Sequence, residues 1–276
     1  LNDYDDDNLI PKWYVKEKMQ KQGYLNIQDQ LELLNKKGII INSDQDSKIL
    51  SQINYYTLMN YKNIFYEKGI IHKYKQNIFF KDFYTLYTID NDIKILLLKK
   101  FKIITNKVSS EIIRAVCENY GFLESDYLNK DLYNNNFIKD YYDFLLQYDS
   151  KSKKYYDVHG FLPFWILINN MDFNILIKYI LSFKVNITKQ INLNNDILLY
   201  SIDLYKNVLN NEKTYDFSKD NIKIVDLLKW FDDLGISIVD IKMKYSEILE
   251  KIQCLTEDDI KRVSGIEIGG RDDVNK

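Results

Sequence analysis

Hydrophobic residues recur along the N-terminal part of the chain at helical spacing. Leu31 and Leu34 share one face of a segment at 27–37, with Asn26 before it and Gly38 after it. This pattern predicts a helix that the Asn26 side chain caps and that Gly38 ends with a positive φ.

A second helix is predicted to begin at Ser43, because Asp46 follows three residues later as in a capping box. Its inner face carries Ile49, Ile53 and Tyr56. The segment KGIIHKYKQNIFF that follows has no clear period and fits either a loop or a short strand pair near 69–80.

The longest pattern starts near Asp82 and predicts one long helix. Its inward positions keep a helical spacing: Ile93, Leu97, Phe101, Ile104, Val108, Ile112 and Ala115. The pattern implies a helix of ~30 residues, ~45 Å long at the usual rise. Gly121 ends it.

The second half of the chain predicts further helices separated by polar or glycine-containing stretches. A helix is predicted over Phe137–Tyr148, a surface loop over QYDSKSKKYYD, and an apolar helix with Pro163 in its first turn. The remaining helices are predicted at 196–209, with Ile197, Leu204 and Val208 inward, and at 221–234 and 237–254, divided by Gly235.

Composition supports an all-α fold, because 276 residues contain only 9 Gly and 2 Pro, too few for the many turns of a sandwich or barrel. The prediction is an acidic N-terminal segment at 1–22, one all-α domain at 23–254 and a mobile tail at 255–276.

Charge is unevenly distributed although the formal net charge is only −2. Residues 61–114 contain eleven Lys or Arg residues against five Asp or Glu residues. Such a region is typical either of a face that attracts RNA or of an ordinary solvated helix surface.

Several features favour a cytoplasmic protein. Cys117 and Cys254 form no CxxC pair and no signal peptide is visible, which predicts reduced thiols. The apolar run at 161–183 is interrupted by Asn, Asp and Lys residues that are costly in hydrocarbon, so it predicts a buried helix and no membrane span.

Common catalytic motifs are absent from the sequence. There is no GxxxxGK[ST], GxGxxG, HExxH or GxSxG, and His72 and His159 are the only histidines. We interpret His72 as a surface residue and His159 as a partner of a helix start, and we expect no metal site and no cofactor.

Three segments in order resemble the Abi-like proteins (AbiD/AbiF type), which are bacterial abortive-infection proteins. They are LELLNKKGIIINSDQDSKILSQINYYTLMNYKNIF at 31–65, FKDFYTLYTIDNDIKILLLKKFKIITNKVSSEIIRAVCENYG at 80–121, and LPFWILINNMDFNILIKYI at 162–180. The INYY block is the most recognisable match, whereas Thr57, Thr105 and Asn169 differ from the family pattern. The resemblance implies a HEPN-like helical bundle with an N-terminal helical extension.

Many HEPN proteins are metal-independent ribonucleases with an R-x4–6-H motif, which in Abi-like chains often reads like YRNICAHGERLYNF. The segment YKNVLNNEKTYDF at 205–217 is similar to it but one residue shorter. Lys206 stands where Arg is expected and Asn210 where His is expected, and no Arg lies between Arg114 and Arg262. An amide cannot transfer the proton of a ribose 2′-hydroxyl, and Lys lacks the bidentate fork of Arg.

The resemblance therefore implies a degenerate ribonuclease site in a phage-defence protein that binds RNA. The degenerate motif positions are Lys206, Asn210, Glu212 and Tyr215, and the expected RNA contacts are Asn207, Asn211, Lys99, Lys100, Lys102 and Lys107. The expected partners are RNA, including a structured small RNA, and a second copy of the chain, since HEPN proteins commonly dimerise.

Two other interpretations stay open. In the first, the chain is an active ribonuclease in which Lys206 stabilises the phosphate and Glu212 or Tyr215 handles the proton, because burial can raise the pKa of a Glu enough for it to act as a base. In the second, the chain is a protein-interaction module and the segment at 205–217 is a surface turn.

Overall fold

The computed structural model describes residues 25–68, 70, 73–184, 195–210 and 224–264, and this part of the chain is all-α, as predicted. The first helices are α1 (Ile27–Lys36), α2 (Ser43–Gln52), α3 (Tyr55–Met59), α4 (Phe80–Asn119), α5 (Glu124–Tyr127), α6 (Phe137–Tyr148) and α7 (Ser150–His159). They are followed by α8 (Phe164–Asn169), α9 (Phe173–Ser182), α10 (Asn195–Leu209), α11 (Ile224–Asp233), α12 (Val239–Lys251) and α13 (Glu257–Ser264). Short 3-10 turns lie at Lys62–Phe65 and Lys130–Leu132.

The chain divides into two compact units. The first contains the residues up to Thr88 together with Lys251–Leu255, and the second contains Ile89–Glu250 and the residues from Thr256 onward. The helix α4 contributes its first turns to one unit and the rest to the other. The single domain predicted over 23–254 stays a prediction.

The first unit is built on the predicted helix at its start. Asn26 caps α1 by accepting a hydrogen bond from the Asp29 N–H at 2.9 Å, and Gly38 follows with φ of 87°. Leu31 and Leu34 are buried against the rest of the unit. These features confirm the first predicted helix.

The second predicted helix differs in its cap. The N-cap residue is Asn42, and the Asp46 carboxylate accepts the Asn42 N–H at 2.6 Å, so Ser43 is the first helical residue and not the cap. The helix also ends at Gln52, where the chain turns before α3. As a result Tyr56 is 73% exposed and not inward as predicted.

The segment near 69–80 holds no strand pair among the residues described there. Two isolated bridges take its place, between Tyr66 and Tyr74 and between Ile40 and Phe79. The second bridge orients the start of α4, since the Ile40 N–H donates to Ile78 and the Phe80 N–H donates to Ile40. Asp82 then caps α4 by accepting the Phe79 N–H at 2.9 Å.

The second unit is organised around α4, whose predicted inward positions are buried from Ile93 to Ile112. The helix is 40 residues long, about ten more than predicted. Gly121 follows its end with φ of 105°, as expected for a left-handed terminator.

A group of buried tyrosines packs beside the apolar segments of this unit. The Tyr133 hydroxyl donates to the Tyr127 carbonyl at 2.7 Å and lies 3.1 Å from the Tyr179 hydroxyl, while Tyr127 donates to the Leu162 carbonyl. Burial raises the pKa of Tyr133 to about 12. The tyrosine hydroxyls are therefore structural hydrogen-bonding groups near neutral pH.

Three predictions for the second unit need correction. The segment predicted as a surface loop is the helix α7, which the Asp149 carboxylate caps by accepting the Ser152 N–H at 2.7 Å. The apolar helix predicted after Pro163 is two helices, because Asp172 caps a new helix, α9. Pro163 is the N-cap residue of α8 and does not lie in its first turn. The helix α13 lies inside the segment assigned to a mobile tail, whose residues 265–276 lie outside the described part.

No helix in the described residues combines the length and apolar character needed to cross a membrane. This result agrees with the interpretation of the apolar run at 161–183, which forms α8 and α9 in the interior of the second unit.

Candidate nucleic-acid interface

The helix α10 carries the start of the segment that resembles the ribonuclease motif. Its C-terminal turn is anchored by an aromatic junction, defined here as Phe101, Phe173, Tyr205 and Phe231. The Tyr205 ring lies 5.2 Å from Phe101 and 5.3 Å from Phe173, and Phe101 contacts Phe231 at 5.7 Å. The aromatic junction therefore holds the end of α10 against the middle of α4.

Lys206 and Asn210 lie one turn apart at this end of α10. The Asn210 N–H donates to the Lys206 carbonyl at 2.8 Å, so the helical hydrogen bonding continues to Asn210. Residues four apart project from the same face of a helix. Both side chains are exposed, and neither bonds to another side chain in the described part of the protein.

Of the other predicted site residues in this segment, the structure describes only Asn207. Asn207 is half-buried and takes part in an interaction. Asn211, Glu212 and Tyr215 lie outside the described residues. The structure thus describes Lys206, Asn207 and Asn210 at the end of α10, next to Tyr205, whose ring contacts α4.

The four predicted lysines of α4 fall into two classes. Lys100 is 8% exposed and forms an ion pair with Asp240 at 2.8 Å, and the Lys107 ammonium donates to the Leu234 carbonyl. Lys99 and Lys102 are exposed and have no bonding partner among the residues that the structure describes. Of these four lysines, Lys99 and Lys102 are therefore the two whose ammonium groups are not committed to a partner in the described residues.

The basic region at 61–114 is also partly neutralised by neighbouring acids. Lys73 pairs with Glu67 at 2.8 Å, and Arg114 lies 3.7 Å from Glu111. The charge excess seen in the sequence therefore overstates the positive charge available to a ligand.

The most deeply buried ion pair of α4 escaped sequence analysis. Asp90 and Lys94 lie 3.0 Å apart, and their side chains are 0% and 5% exposed. The signal was an Asp and a Lys four residues apart inside an apolar stripe, since charged residues are rarely buried unless they are paired.

Asp172 is a second residue near the motif that sequence analysis missed. Its carboxylate caps α9 by accepting the Ile175 N–H at 2.8 Å. Burial, and then the negative charge of Asp172, raise the pKa of Tyr205. Tyr205 is therefore kept as a neutral phenol, which suits its place among aromatic rings.

Neither histidine belongs to the motif segment, and only His159 lies in the described part of the chain. His159 is the last residue of α7, where it is exposed and stacks on Tyr155 at 4.3 Å; it ends a helix and does not support a helix start as predicted. His72 lies outside the described residues. Within those residues no group of His, Cys, Asp and Glu side chains could hold a metal ion.

The chemical capacity of this interface follows from its exposed groups. Lys99, Lys102 and Lys206 offer ammonium groups to an anion, and Asn210 offers an amide. Lysine binds phosphate as a point charge, and an amide cannot take up the proton of a ribose 2′-hydroxyl. Each of these exposed groups can therefore contact an anion such as a phosphate.

Comparison with known proteins adds a family to this geometry. Residues 48–230 match the model of the family described as Abi-like protein. No curated protein and no solved structure matches the chain.

The matched range includes the helices α4 to α10 and three of the four residues of the aromatic junction, Phe101, Phe173 and Tyr205, and it covers more than half of the chain. A match of this extent supports a role in abortive infection, a form of phage resistance. The chain belongs to the Abi-like protein family.

Proposed function

We propose that this Abi-like protein acts in phage resistance in the cytoplasm as an RNA-binding protein with a degenerate HEPN ribonuclease site of the AbiD/AbiF type. The observation that carries the proposal is the exposed pair Lys206 and Asn210 at the end of α10. These residues occupy the positions at which the resemblance implies Arg and His.

The surroundings of this pair support binding without cleavage. The contact between Tyr205 and Phe101 brings the segment to α4, where Lys99 and Lys102 are exposed. Lysine contacts to phosphates supply affinity without sequence information. In place of a histidine, Asn210 supplies an amide that can bind RNA but cannot move a proton.

The direct test begins with protein purified in low salt, from which any bound nucleic acid is extracted and sequenced. We expect one defined RNA, recovered intact. The binding of this RNA is then measured across a range of salt concentrations for the wild type and for Lys206→Ala. The substitution lowers the slope of log affinity against log salt by about 0.7, the value for one phosphate contact to a single strand.

Lys242→Ala is the matched control, because Lys242 is an exposed lysine on α12 without a partner in the described part. An equal effect of both substitutions contradicts a specific role for Lys206. If the wild type cleaves RNA, and Lys206→Ala or Glu212→Ala abolishes this cleavage, the protein is an active ribonuclease instead. Protein without any bound nucleic acid, and without affinity for RNA, favours the protein-interaction module.

A second copy of the chain is the proposed protein partner. Sedimentation equilibrium of RNA-free protein tests this part separately, and a mass near 33.1 kDa at all concentrations contradicts it.

A further inference from the structure

An aromatic ladder runs along one side of α6. Phe137, Tyr141, Phe144 and Tyr148 follow one another at 6.4, 6.2 and 5.1 Å between ring centroids. The first two pairs are nearly parallel, at 9° and 20°. Positions spaced by four and three residues lie on one helix face, so the ladder is a continuous row of rings.

The ladder emerges from the protein at its C-terminal end. Tyr141 is buried, and its hydroxyl donates to the Asn170 carbonyl at 2.7 Å. Phe144 is 52% exposed and Tyr148 is 66% exposed. Large exposed aromatic groups that adjoin one another are uncommon on a monomer and mark a binding surface.

Lysines follow the exposed end of the ladder on α7. Lys151, Lys153 and Lys154 are exposed, and none has an ion-pair or hydrogen-bond partner for its ammonium group among the described residues. Lys151 and Lys154 are three residues apart and therefore neighbours on the helix surface. Lys153 lies about 160° around the helix from Lys151 and projects elsewhere.

Neither Lys151 nor Lys154 forms an ion pair with an acid among the described residues. Asp143 pairs with Lys139, and the Asp149 carboxylate is used to cap α7. Asp140 lies two turns before Tyr148, about 12 Å along α6. Asp149 attracts Lys151 electrostatically, and Asp157, three residues after Lys154, is a neighbour of that lysine on the surface of α7. The two lysines therefore keep unpaired ammonium groups a few residues along the chain from the exposed Tyr148 ring.

We infer that Phe144, Tyr148, Lys151 and Lys154 form a binding surface for single-stranded RNA, named here the α6–α7 surface. Unpaired bases stack on exposed aromatic rings, and lysines beside them hold the phosphates. Exposed rings alone would suit a protein partner equally well. The two unpaired lysines at the same end favour a ligand that is both aromatic and anionic.

The inference rests on the proposed function for the presence of RNA, but it places a contact on residues outside the α10 motif. The geometry suits a few nucleotides. Neighbouring positions on a helix are separated by about 5–6 Å, which is close to the spacing of successive phosphates. The α6–α7 surface therefore adds sequence-tolerant contacts to those of Lys206.

The test is fluorescence anisotropy with a labelled single-stranded 12-nucleotide RNA and with the corresponding RNA duplex. We expect the double substitution Phe144→Ser/Tyr148→Ser to weaken binding of the single strand by at least about tenfold, since base stacking on an aromatic ring is lost. Binding of the duplex changes little, because its bases are already stacked. Lys151→Gln/Lys154→Gln lowers the salt slope by about 1.4, as two phosphate contacts are removed.

Two matched controls accompany these variants. Lys153→Gln removes a lysine from the same helix, and Tyr56→Ser removes a more exposed tyrosine from α3. Both are expected to bind the single strand as the wild type does. Tyr148→Ser alone provides a second measurement if the double variant does not fold, as judged by circular dichroism.

Unchanged binding of the single strand by the folded aromatic variants overturns the inference, and the surface is then assigned to a protein partner. If Lys206→Ala weakens binding while these variants do not, the proposed function stands and the inference fails. If the wild type binds no RNA, both fall. Loss of binding in the aromatic variants with intact binding in both controls supports the inference.

Discussion

Asp149 is a single residue on which the conformation of a polar segment depends. Its carboxylate accepts the Ser152 N–H, and the next ten residues form α7 although they contain few apolar side chains. Hydrogen bonds from Ser152 lower the pKa of Asp149. The cap therefore links the stability of α7, and of the α6–α7 surface, to pH.

We expect Asp149→Ala to lower the melting temperature and to make the melting temperature change less as the pH is lowered. A carboxyl whose pKa is lowered by folding stabilises the protein above its unfolded pKa of about 3.9, and this stabilisation is lost as the pH falls through the lower folded pKa. Thermal unfolding between pH 7 and pH 2 measures the effect. Asp140→Ala, at an exposed position of α6, is the control, and an identical acid response of both variants contradicts the assignment.

The buried pair Asp90 and Lys94 gives a second prediction at this scale. Lys94→Met is expected to lower the free energy of unfolding by about 3–5 kcal/mol, because a buried carboxylate loses its counter-charge. A double-mutant cycle with Asp90→Leu measures the coupling by urea denaturation. The exposed pair Lys139 and Asp143 serves as the comparison, with a coupling of at most about 1 kcal/mol. Equal coupling in the two pairs contradicts the prediction.

At the scale of elements, the predicted and observed helices differ mostly at their ends and less in their interiors. The boundaries of α6 and the identity of the α1 cap follow from periodicity and from one polar residue, so they could be predicted. The break between α8 and α9 could not, because an apolar run has the same pattern whether or not a turn interrupts it. The break occurs where Asp172 caps a new helix inside that run.

The end of α4 provides a prediction for an element boundary. A Cβ on Gly121 would lie 2.3 Å from an Asp126 carboxylate oxygen, which accepts the Leu123 N–H at 3.1 Å. We expect Gly121→Ala to cost about 2 kcal/mol or more of unfolding free energy, from the positive φ and from the displaced cap of α5. Gly160→Ala is the control, since its φ is also positive but nothing lies within 4 Å of the added Cβ.

For Gly160→Ala we expect only the backbone cost of about 1 kcal/mol. Chemical denaturation of the two variants measures the difference between them. If Gly121→Ala is no less stable than Gly160→Ala, the contact with Asp126 does not define the end of α4.

The distribution of charge is the property that matters at the scale of the whole molecule. The sequence predicts a basic region at 61–114, but the structure commits several of its cations to Asp90, Glu111, Asp240 and a main-chain carbonyl. The cations left exposed on α4, α7 and α10 are the ones to which RNA binding is assigned in the proposals.

The degenerate site gives a prediction for the activity of the whole protein. Combining Lys206→Arg with Asn210→His, or with Asn211→His to give the four-residue spacing of the motif, is expected to produce cleavage of the RNA that the wild type binds intact. A positioned histidine contributes roughly 100- to 10,000-fold to such a reaction, and the arginine supplies a bidentate contact to the phosphate. Gel analysis of end-labelled RNA measures the product.

Lys206→Arg alone is the control and should not cleave, because it lacks a group for proton transfer. A double variant that binds RNA but cleaves none of it contradicts the assignment of these two positions to the ribonuclease motif.

The sequence by itself determined the all-α class, most helices and the family, because periodicity, caps and signature segments are encoded by residues close together in the chain. Only the tertiary structure decided which lysines are available. Lys107 finds its acceptor 127 residues away at Leu234, and Lys100 pairs with Asp240 in another helix. The exposed end of the aromatic ladder beside Lys151 was likewise hidden, since a segment rich in Lys and Ser lacks the apolar period that identifies a helix. Such pairings depend on how helices pack, and no local pattern along the chain records them.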